Sequence, residues 1–370
     1  MMSLSQKTLC LITIFVTLIL ISCLSAPAQI PTEIVRPTDT LFTISATNTP
    51  EPKLTTTPTA RIFAEPINCD QTLVQGHILF LRQGENDGLY IMDGNACYQH
   101  LIMQDASGSP DWSVDGQRIS TGCENNKYIC ILDATATLAS CLKSNDSTVQ
   151  CRPVIIDKYS LPQRQEQMQI YNTSWSADGN KIIVESGDYG CWNCYVDILT
   201  LTENGTWETL IEGVKLVHPD MSPIRDEIVF SGIYIMPLDD KPLQTYVGGY
   251  DAVWSQDGNK IAFLINTHQE NKEPTAIWVW DFTVEKHVHA LYEPPNLDMH
   301  YWPPQNLRFG DDSGNYRVLS WSPDGRYLAF VAGRAMYDNQ IFRLDTKTGE
   351  IVLLTDRLGD YGYIAPAWGP

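Results

Sequence analysis

Basic residues are scarce in this chain. Its 370 residues include 25 Lys and Arg against 44 Asp and Glu, which gives a formal net charge of −19 at pH 7. Nucleic-acid phosphates and anionic lipid surfaces repel such a protein. The charge therefore argues against nucleic acid as a partner and against direct adhesion of the folded domain to anionic lipid.

Catalytic and cofactor motifs are also missing. The chain contains no Gly-x-Ser-x-Gly nucleophile elbow, no phosphate-binding glycine loop and no dinucleotide-binding fingerprint. From these absences we predict that the protein is not an enzyme and that it uses no cofactor and no metal.

Long apolar runs are absent except at the N-terminus. There Lys7 precedes an apolar run from Leu9 to Ile21, interrupted by Thr13 and Thr17. The run is too short and too close to the N-terminus for a good membrane-spanning helix, and it is typical of an export signal. We predict a signal peptide over residues 1–22.

The apolar run ends in Leu20-Ile21-Ser22-Cys23, which resembles the lipobox of bacterial lipoproteins. The resemblance implies that Cys23 carries a diacylglyceryl group and becomes the new N-terminus, anchoring the protein to the membrane. The alternative is ordinary cleavage around residues 25–28, which would release the protein. We predict a lipid-anchored, extracytoplasmic protein of the bacterial cell envelope.

Proline and threonine dominate the segment after Cys23. Its composition, as in Pro50-Glu51-Pro52 and Thr55-Thr56-Thr57-Pro58, favours extended, solvated chain over a packed core. We predict a tether over residues 23–70 and one folded domain over residues 71–370.

Eight cysteines belong to the predicted exported part beyond Cys23. An even number in an exported chain suggests disulfides, although sequence alone does not give their connectivity. Proximity along the chain favours four pairs: Cys69 with Cys97, Cys123 with Cys130, Cys141 with Cys151 and Cys191 with Cys194. The spacing of Cys191 and Cys194 also matches a redox motif, but we predict a structural disulfide there because no βαβ pattern surrounds it.

One phrase, Trp-Ser-x-Asp-Gly, recurs down the chain. Four full copies begin at Trp112, Trp175, Trp254 and Trp321, and two degraded copies surround Met221 and Trp368. Asp-Gly supplies the positive φ angles of a tight turn, the serine or aspartate bonds local backbone, and the tryptophan offers apolar surface between sheets. The phrase therefore predicts a structural repeat.

Alternating strands follow each copy of the phrase. Examples are residues 260–264 with 276–281 and residues 327–331 with 340–345, and a similar hairpin joins residues 77–81 to 89–93. Each repeat is therefore predicted to be a small antiparallel sheet. The insertion from Lys143 to Gln169 is predicted to be a solvated excursion.

These phrases resemble the TolB-like, PD40-type β-propeller repeat from about Gly76 to Pro370. The resemblance implies an all-β fold, a six-bladed β-propeller of four-stranded antiparallel blades. The last repeat stops before its Asp-Gly, so we expect the N-terminal strands to complete the blade of the C-terminal strand and remove a free edge.

Candidate binding residues lie in a long insertion of the repeat that begins at Trp254. We expect the stretch from His287 to Arg308 to form an aromatic-rich loop, because loops on rigid scaffolds carry recognition and aromatic residues are favoured anchors. Its candidate residues are His287, His289, His300, Tyr301 and Trp302. Packing of this loop onto the propeller, or metal binding by its histidines, is the alternative.

The sequence thus predicts a membrane-anchored propeller that binds an envelope protein or a ligand. One alternative is a carbohydrate-binding module that uses Tyr301 and Trp302 as stacking platforms for a glycan. The other is an enzyme with its site at the central opening of the propeller, lined by acidic residues and histidines.

Overall fold

The computed structural model describes the second of two compact units of the chain, which are Met1–Thr56 and Thr57–Pro370. The residues described are 62–63, 74–84, 87–141, 150–162, 168–188, 193–214, 218–230, 234–238, 244–245, 249–265, 276–283, 287–292, 308–309, 317–333, 339–355 and 362–370. The predicted signal peptide, Cys23 and most of the predicted tether lie outside them.

The described residues form strands almost throughout. In chain order the strands are β1 Ile62–Phe63, β2 His77–Gln83, β3 Gly88–Asp93, β4 His100–Gln104, β5 Ser107–Trp112, β6 Arg118–Cys123, β7 Tyr128–Asp133, β8 Ile155–Ser160, β9 Gln169–Trp175, β10 Lys181–Gly187, β11 Cys194–Thr200, β12 Thr206–Val214, β13 Asp220–Met221, β14 Glu227–Phe230, β15 Tyr234–Pro237, β16 Gln244–Thr245, β17 Tyr250–Trp254, β18 Lys260–Ile265, β19 Ala276–Asp281, β20 His287–Tyr292, β21 Arg308–Phe309, β22 Leu319–Trp321, β23 Tyr327–Gly333, β24 Gln340–Asp345, β25 Ile351–Leu353 and β26 Gly362–Gly369.

Strand pairing divides these strands into five sheets, one of which has eight strands. The eight-stranded sheet consists of two antiparallel halves joined by one parallel pairing, Ser109 with Asn172, between β5 and β9, and its halves are numbered separately as sheets 2 and 3. The numbered sheets are therefore six, and their pairing is mainly antiparallel. They are sheet 1 (β26, β2, β3, β4), sheet 2 (β5–β8), sheet 3 (β9–β12), sheet 4 (β13–β16), sheet 5 (β17–β20) and sheet 6 (β22–β25, with β21 also on β23 and β1 parallel to β25). The predicted all-β propeller of antiparallel sheets is confirmed. The count covers the described residues, and six blades for the whole chain stays a prediction.

Sheet 1 closes the propeller with strands from both ends of the domain. The C-terminal β26 pairs antiparallel with β2, so that Trp368 lies opposite Ile78, and β2 pairs in turn with β3. The expected completion of this sheet by N-terminal strands is confirmed. The pairing covers edges that would otherwise be exposed.

Each full copy of the repeated phrase forms the same tight turn. In sheet 6 the Ser322 hydroxyl donates to Asp324 Oδ1 at 2.6 Å and accepts the Tyr327 backbone N–H at 2.8 Å. The turn glycine, Gly325, has φ +64°, which a side chain would strain. Ser113, Ser176 and Ser255 make the equivalent bonds to Asp115, Asp178 and Asp257 at 2.5–2.6 Å.

The tryptophans of the phrase are buried where neighbouring sheets meet. At three junctions, the residue six positions after one phrase tryptophan packs on the tryptophan of the next sheet. Arg118 lies 4.6 Å from the Trp175 ring, Lys260 lies 5.9 Å from the Trp321 ring, and the Tyr327 ring stacks on Trp368. One spacing in the sequence therefore sets both the turn and the contact between sheets.

Hydrogen bonds also join the innermost strands of successive sheets, β5, β9, β13, β17, β22 and β26. Most of the acceptors are side chains that stand just before a tryptophan of the phrase or its equivalent. The bonds run from Trp175 N to Asp111, Met221 N to Ser174, Trp254 N to Asp220, Val318 N to Asp251, Trp368 N to Ser320 and the Trp112 indole N to Ala367 O, at 2.7–3.1 Å. Every junction between consecutive sheets, including that between sheets 6 and 1, thus carries one such bond.

Two predicted disulfides are confirmed, Cys123–Cys130 and Cys141–Cys151. Cys97 and Cys194 are also disulfide-bonded. Their predicted partners, Cys69 and Cys191, lie outside the described residues, so those two pairings stay predictions.

The insertion from Lys143 to Gln169 was predicted to be a solvated excursion; its described part is largely exposed, but it contains a strand of sheet 2. Residues Ile155–Ser160 form β8, which pairs with β7 as the fourth strand of sheet 2, while Ile155 and Ile156 stay exposed. A short helix, α1 Ala134–Ala139, lies between β7 and the insertion. Asp133 caps the N-terminus of this helix and accepts the Ala136 N–H. Within the described part of the chain no helix is long and apolar enough to cross a membrane.

Candidate functional site

The innermost strands bring charged side chains together at the propeller axis. Arg317, directly before β22 of sheet 6, is buried, and its guanidinium lies 2.9 Å from Asp220 Oδ1 and 3.7 Å from Asp111 Oδ1. It also donates to the carbonyls of Thr173 and Pro219, both at 3.4 Å. One side chain of sheet 6 therefore contacts sheets 2, 3 and 4, which places it where the sheets converge.

A histidine and an aspartate lie on the side of the axis where the inner strands begin. His218 Nδ1 is 3.0 Å from Asp251 Oδ1, and both residues are buried. The His218 backbone N–H donates to Glu185 Oε2 at 3.1 Å, while Asp251 Oδ2 accepts the Val318 N–H. This pair and Arg317 form one axial cluster, defined here as Asp111, Glu185, His218, Asp220, Asp251 and Arg317.

Burial controls the electrostatics of the axial cluster. Burial raises the pKa of Asp111 to about 7, against the opposing attraction of Arg317, and the neighbouring Asp220 raises it further. The pKa of Asp220 is also raised by burial. Burial lowers the pKa of Arg317, but the surrounding carboxylates outweigh it and the net pKa is raised, so the guanidinium stays charged.

The space beside the axial cluster is small. A cavity of about 40 Å³ is lined by Asp111, Asp220 and Arg317 together with the phrase tryptophans. This volume suits a few water molecules rather than a bound substrate. The arrangement provides a carboxyl that titrates near neutral pH beside a fixed cation, which is a combination found at functional sites as well as in structural ion networks.

The predicted binding residues lie in β20 or outside the described residues. His287 and His289 occupy alternate positions of β20, opposite Asp281 and Val279, while His300, Tyr301 and Trp302 lie outside the described residues. The grouping of the five therefore stays a prediction. In the described part of the chain, no three His, Cys, Asp or Glu side chains are grouped to hold a metal ion.

The 293–307 insertion, whose sequence includes His300, Tyr301 and Trp302, is attached on the side of His218. Its returning strand, β21, pairs with Gly333 and Ala332 at the end of β23, away from the Asp324-Gly325 turn. Because β23 runs antiparallel to the inner strand β22, its end lies on the side where the inner strands begin. The insertion therefore returns to the propeller on the same side as the His218–Asp251 pair.

The axial cluster itself was missed by sequence reasoning. A signal was present, because Asp111 and Asp220 stand immediately before Trp112 and Met221, in strands that are otherwise apolar or small. No linear pattern relates them to Arg317, which lies 97 or more positions away from either residue in the chain. Their proximity follows only from the meeting of sheets at the axis.

Comparison with known proteins supports the fold. TolB from Acinetobacter baumannii is similar in structure with a TM-score of 0.55 and 17% identity, over 80% of this chain and 67% of that one. An oligogalacturonate lyase solved with manganese gives a TM-score of 0.45 and 12% identity, over 74% of this chain and 70% of that one. No family model matches the sequence. The chain has a TolB-like β-propeller fold.

A curated relative matches part of the sequence. The uncharacterized peptidase YuxL of Bacillus subtilis is 28% identical over 120 residues, which cover 32% of this chain and 15% of the relative. The prediction that this protein is not an enzyme is contradicted by the match and is wrong. It relied on the absence of linear motifs, whereas a propeller assembles ionisable groups from separate sheets at its axis.

The raised pKa of Asp111 predicts a pH-dependent effect on stability. Its pKa is about 7 in the folded protein against 3.8 ordinarily, so the folded state holds the proton more tightly. Between about pH 4 and pH 7 this carboxyl therefore lowers the free energy of unfolding as pH rises. Asp111→Asn removes the effect, and the melting temperature of the variant should rise relative to the unmodified protein between pH 5 and pH 8.

Asp115→Asn is the matched control for this measurement. The hydrogen bond from Ser113 lowers the Asp115 pKa, so the stabilisation by this carboxylate is complete above pH 5. The difference in melting temperature between Asp115→Asn and the unmodified protein should therefore stay constant above pH 5. A constant difference for Asp111→Asn as well would contradict the assignment.

Proposed function

We propose that this protein is a lipid-anchored, extracytoplasmic propeller of the bacterial cell envelope that binds a partner protein or ligand at the His218 side of its axis. The observation that carries this proposal is the return of the 293–307 insertion on the same side as the buried His218–Asp251 pair. Segments inserted between the strands of a rigid scaffold are a common location for recognition.

The disulfides support the extracytoplasmic location. Cys123–Cys130 and Cys141–Cys151 require an oxidising compartment to persist. The apolar run, the lipobox-like Cys23 and the Thr- and Pro-rich segment up to residue 70 support export, anchoring and a tether that holds the propeller away from the membrane. A TolB-like fold is compatible with this location.

The aromatic residues of the insertion support a protein or a glycan as the partner. Tyr301 and Trp302 offer large, rigid apolar surfaces with polar atoms, a property shared by protein hot spots and by platforms for sugar rings. The net charge of −19 makes basic partners more favourable than acidic ones.

Lipid attachment is tested by labelling with a radioactive fatty acid in a bacterial host. Cys23→Ser should abolish labelling and move the protein from the membrane fraction to the soluble fraction, because one modified cysteine carries the anchor. Cys10→Ser, within the apolar run, is the control and should leave both unchanged. Labelling that survives Cys23→Ser would refute the anchor.

Partner binding is tested by affinity capture from the native envelope. Replacing residues 293–307 with a Gly-Ser linker preserves β20 and β21. It should reduce the captured amount of one specific partner at least tenfold. Replacing residues 142–149, which lie between the paired Cys141 and Cys151, is the control insertion and should retain it. Equal capture by the two variants would place binding away from the 293–307 insertion.

A second candidate function is peptide hydrolysis at the axis. It is favoured by the His218–Asp251 pair, by the Asp111 pKa of about 7 and by the similarity to a protein named as a peptidase. A histidine oriented by a carboxylate is a common general base, and a carboxyl that titrates near pH 7 can act as general acid or base.

Mass spectrometry of a peptide mixture incubated with the purified protein tests this candidate. Cleavage should fall by about a hundredfold in His218→Gln, which is the typical effect of losing a general base. His77→Gln, on the second strand of sheet 1, is the control and should cleave normally. If the unmodified protein cleaves nothing, or His218→Gln cleaves normally, hydrolysis at this pair is refuted and the binding proposal is unaffected.

A further inference from the structure

The turn glycines of the repeated phrase face different surroundings. At Gly116, Gly179 and Gly258 the space beside the glycine is filled by a side chain of the preceding sheet, from Pro370, Arg118 and Ile224 respectively. At Gly325 no atom lies within 4 Å of the position that a Cβ would take. Among the four described turns, only the junction between sheets 5 and 6 is thus open at this point.

The difference follows from one residue in the repeat. Arg118 packs on Trp175 and also donates to the Gly179 carbonyl at 2.9 Å, so its guanidinium fills the groove between sheets 2 and 3. The equivalent residue before Gly325 is Lys260, which contacts the Trp321 ring but makes no described bond to the Gly325 carbonyl. A lysine lacks the forked head that closes the other groove.

The groove at Gly325 is a cavity of about 550 Å³, within the range of sites for small ligands. Three cations line it, Lys260 from β18, Arg326 from the phrase turn and Lys347 from the turn between β24 and β25. They come from separate elements and outnumber the two carboxylates of the lining, Asp281 and Asp324, in a protein whose net charge is −19.

The hydrogen-bonding capacity of the groove is mainly that of donors. Its carboxylates are already used within their own turns, because Asp324 Oδ1 accepts from Ser322 and from the Arg326 N–H, and Asp281 Oδ1 accepts from Thr283. Arg326 is paired with Asp345 at 2.7 Å. Among the described residues, Lys260 and Lys347 have no carboxylate within ion-pair distance.

Trp321 also lines the groove and is only 2% exposed. Its indole N–H has no hydrogen-bond partner among the described residues, a property shared by Trp175 and Trp254 at the filled junctions, so the indole does not distinguish this groove from the others.

We propose that the groove between sheets 5 and 6, beside Gly325, binds a phosphate-type oxyanion through Lys260 and Lys347. Donors from several elements suit a tetrahedral anion, which presents acceptor oxygens in several directions, better than a planar carboxylate. Lysine acts as a point charge toward phosphate and needs no fixed orientation. This site is separate from the axial cluster and independent of the function proposed above.

Phosphorus NMR titration of the full-length protein in detergent tests the proposal, with inorganic phosphate as the probe. Binding should be saturable and weaken with added salt. Lys260→Gln and Lys347→Gln should each weaken it about tenfold, in line with the loss of one charge-assisted hydrogen bond. Lys181→Gln is the matched control, because Lys181 holds the same repeat position as Lys260 in sheet 3, and it should bind normally.

Lys260→Arg distinguishes the contribution of the open groove to binding from that of the positive charge at position 260. The variant keeps the positive charge, but an arginine there should reach the Gly325 carbonyl as Arg118 reaches Gly179, and fill the groove. We expect binding to be lost while the melting temperature is retained or raised. The proposal is overturned if the unmodified protein shows no saturable binding, if Lys260→Arg binds as tightly, or if Lys181→Gln weakens binding equally.

A second probe, dimethyl phosphate, distinguishes two sources of the anion. Tighter binding of dimethyl phosphate than of inorganic phosphate identifies a phosphodiester, as in a lipid headgroup or an envelope polymer. The reverse order identifies free phosphate or a phosphate monoester. Either order supports the oxyanion site, whereas failure of both probes to bind refutes it.

Discussion

The hydrogen bonds that connect the inner strands are the interaction on which the rest of this propeller depends. Each sheet is small, and its apolar faces become buried only where they pack against neighbouring sheets. The bonds fix the angle and height of each sheet relative to the next, as Trp254 N–H to Asp220 does between sheets 4 and 5. Once the inner strands are fixed, the tryptophans of the phrase meet the preceding sheet, at three junctions through the same repeat position. Recurrence of one short phrase therefore specifies the contacts between sheets as well as the turns within them.

The same bonds create the charge at the axis. Where the acceptor is serine, as at Ser174 and Ser320, the bond itself adds no charge, but Asp111, Asp220 and Asp251 add a carboxylate each. Buried carboxylates without a cation are costly, and a single buried arginine, Arg317, offsets part of that cost for two of them. Burial still outweighs this attraction at Asp111, whose pKa is raised to about 7. A group that titrates near neutral pH is thus a consequence of using aspartate to join sheets, and any binding or catalysis at the axis would use a charge already present for structural reasons.

Much of the fold was predictable because its information is local. The Trp-Ser-x-Asp-Gly spacing contains the turn, the buried ring and the following strand, and the truncated copy at Trp368 indicates closure by the N-terminal strands. Two disulfides were predictable because their cysteines are close in the chain. The axial cluster was not, since Arg317 meets Asp111 and Asp220 only through the convergence of three sheets. The strand β8 was missed because its exposed Ile155 and Ile156 follow Val154 directly in an apolar run and lack the alternation of a half-buried strand.

Comparison between copies of a repeat also shows where the chain departs from its own pattern. Positions that satisfy the turn and the sheet contact are restricted in every copy, so a difference at such a position requires a local explanation. Lys260 stands where Arg118 stands in sheet 2, and the substitution leaves the groove beside Gly325 open and lined with cations. At the Met221 copy, Ile224 fills the space beside Gly258, while Arg225 donates to the Gly258 carbonyl at 3.0 Å as Arg118 does to that of Gly179. Three junctions thus reach the same filled state with different residues, Pro370, Arg118 and Ile224, while the fourth, where a lysine stands in place of arginine, does not. Filling is therefore easily achieved at this position, and an open groove of about 550 Å³ is better explained by a ligand than by the limits of the fold.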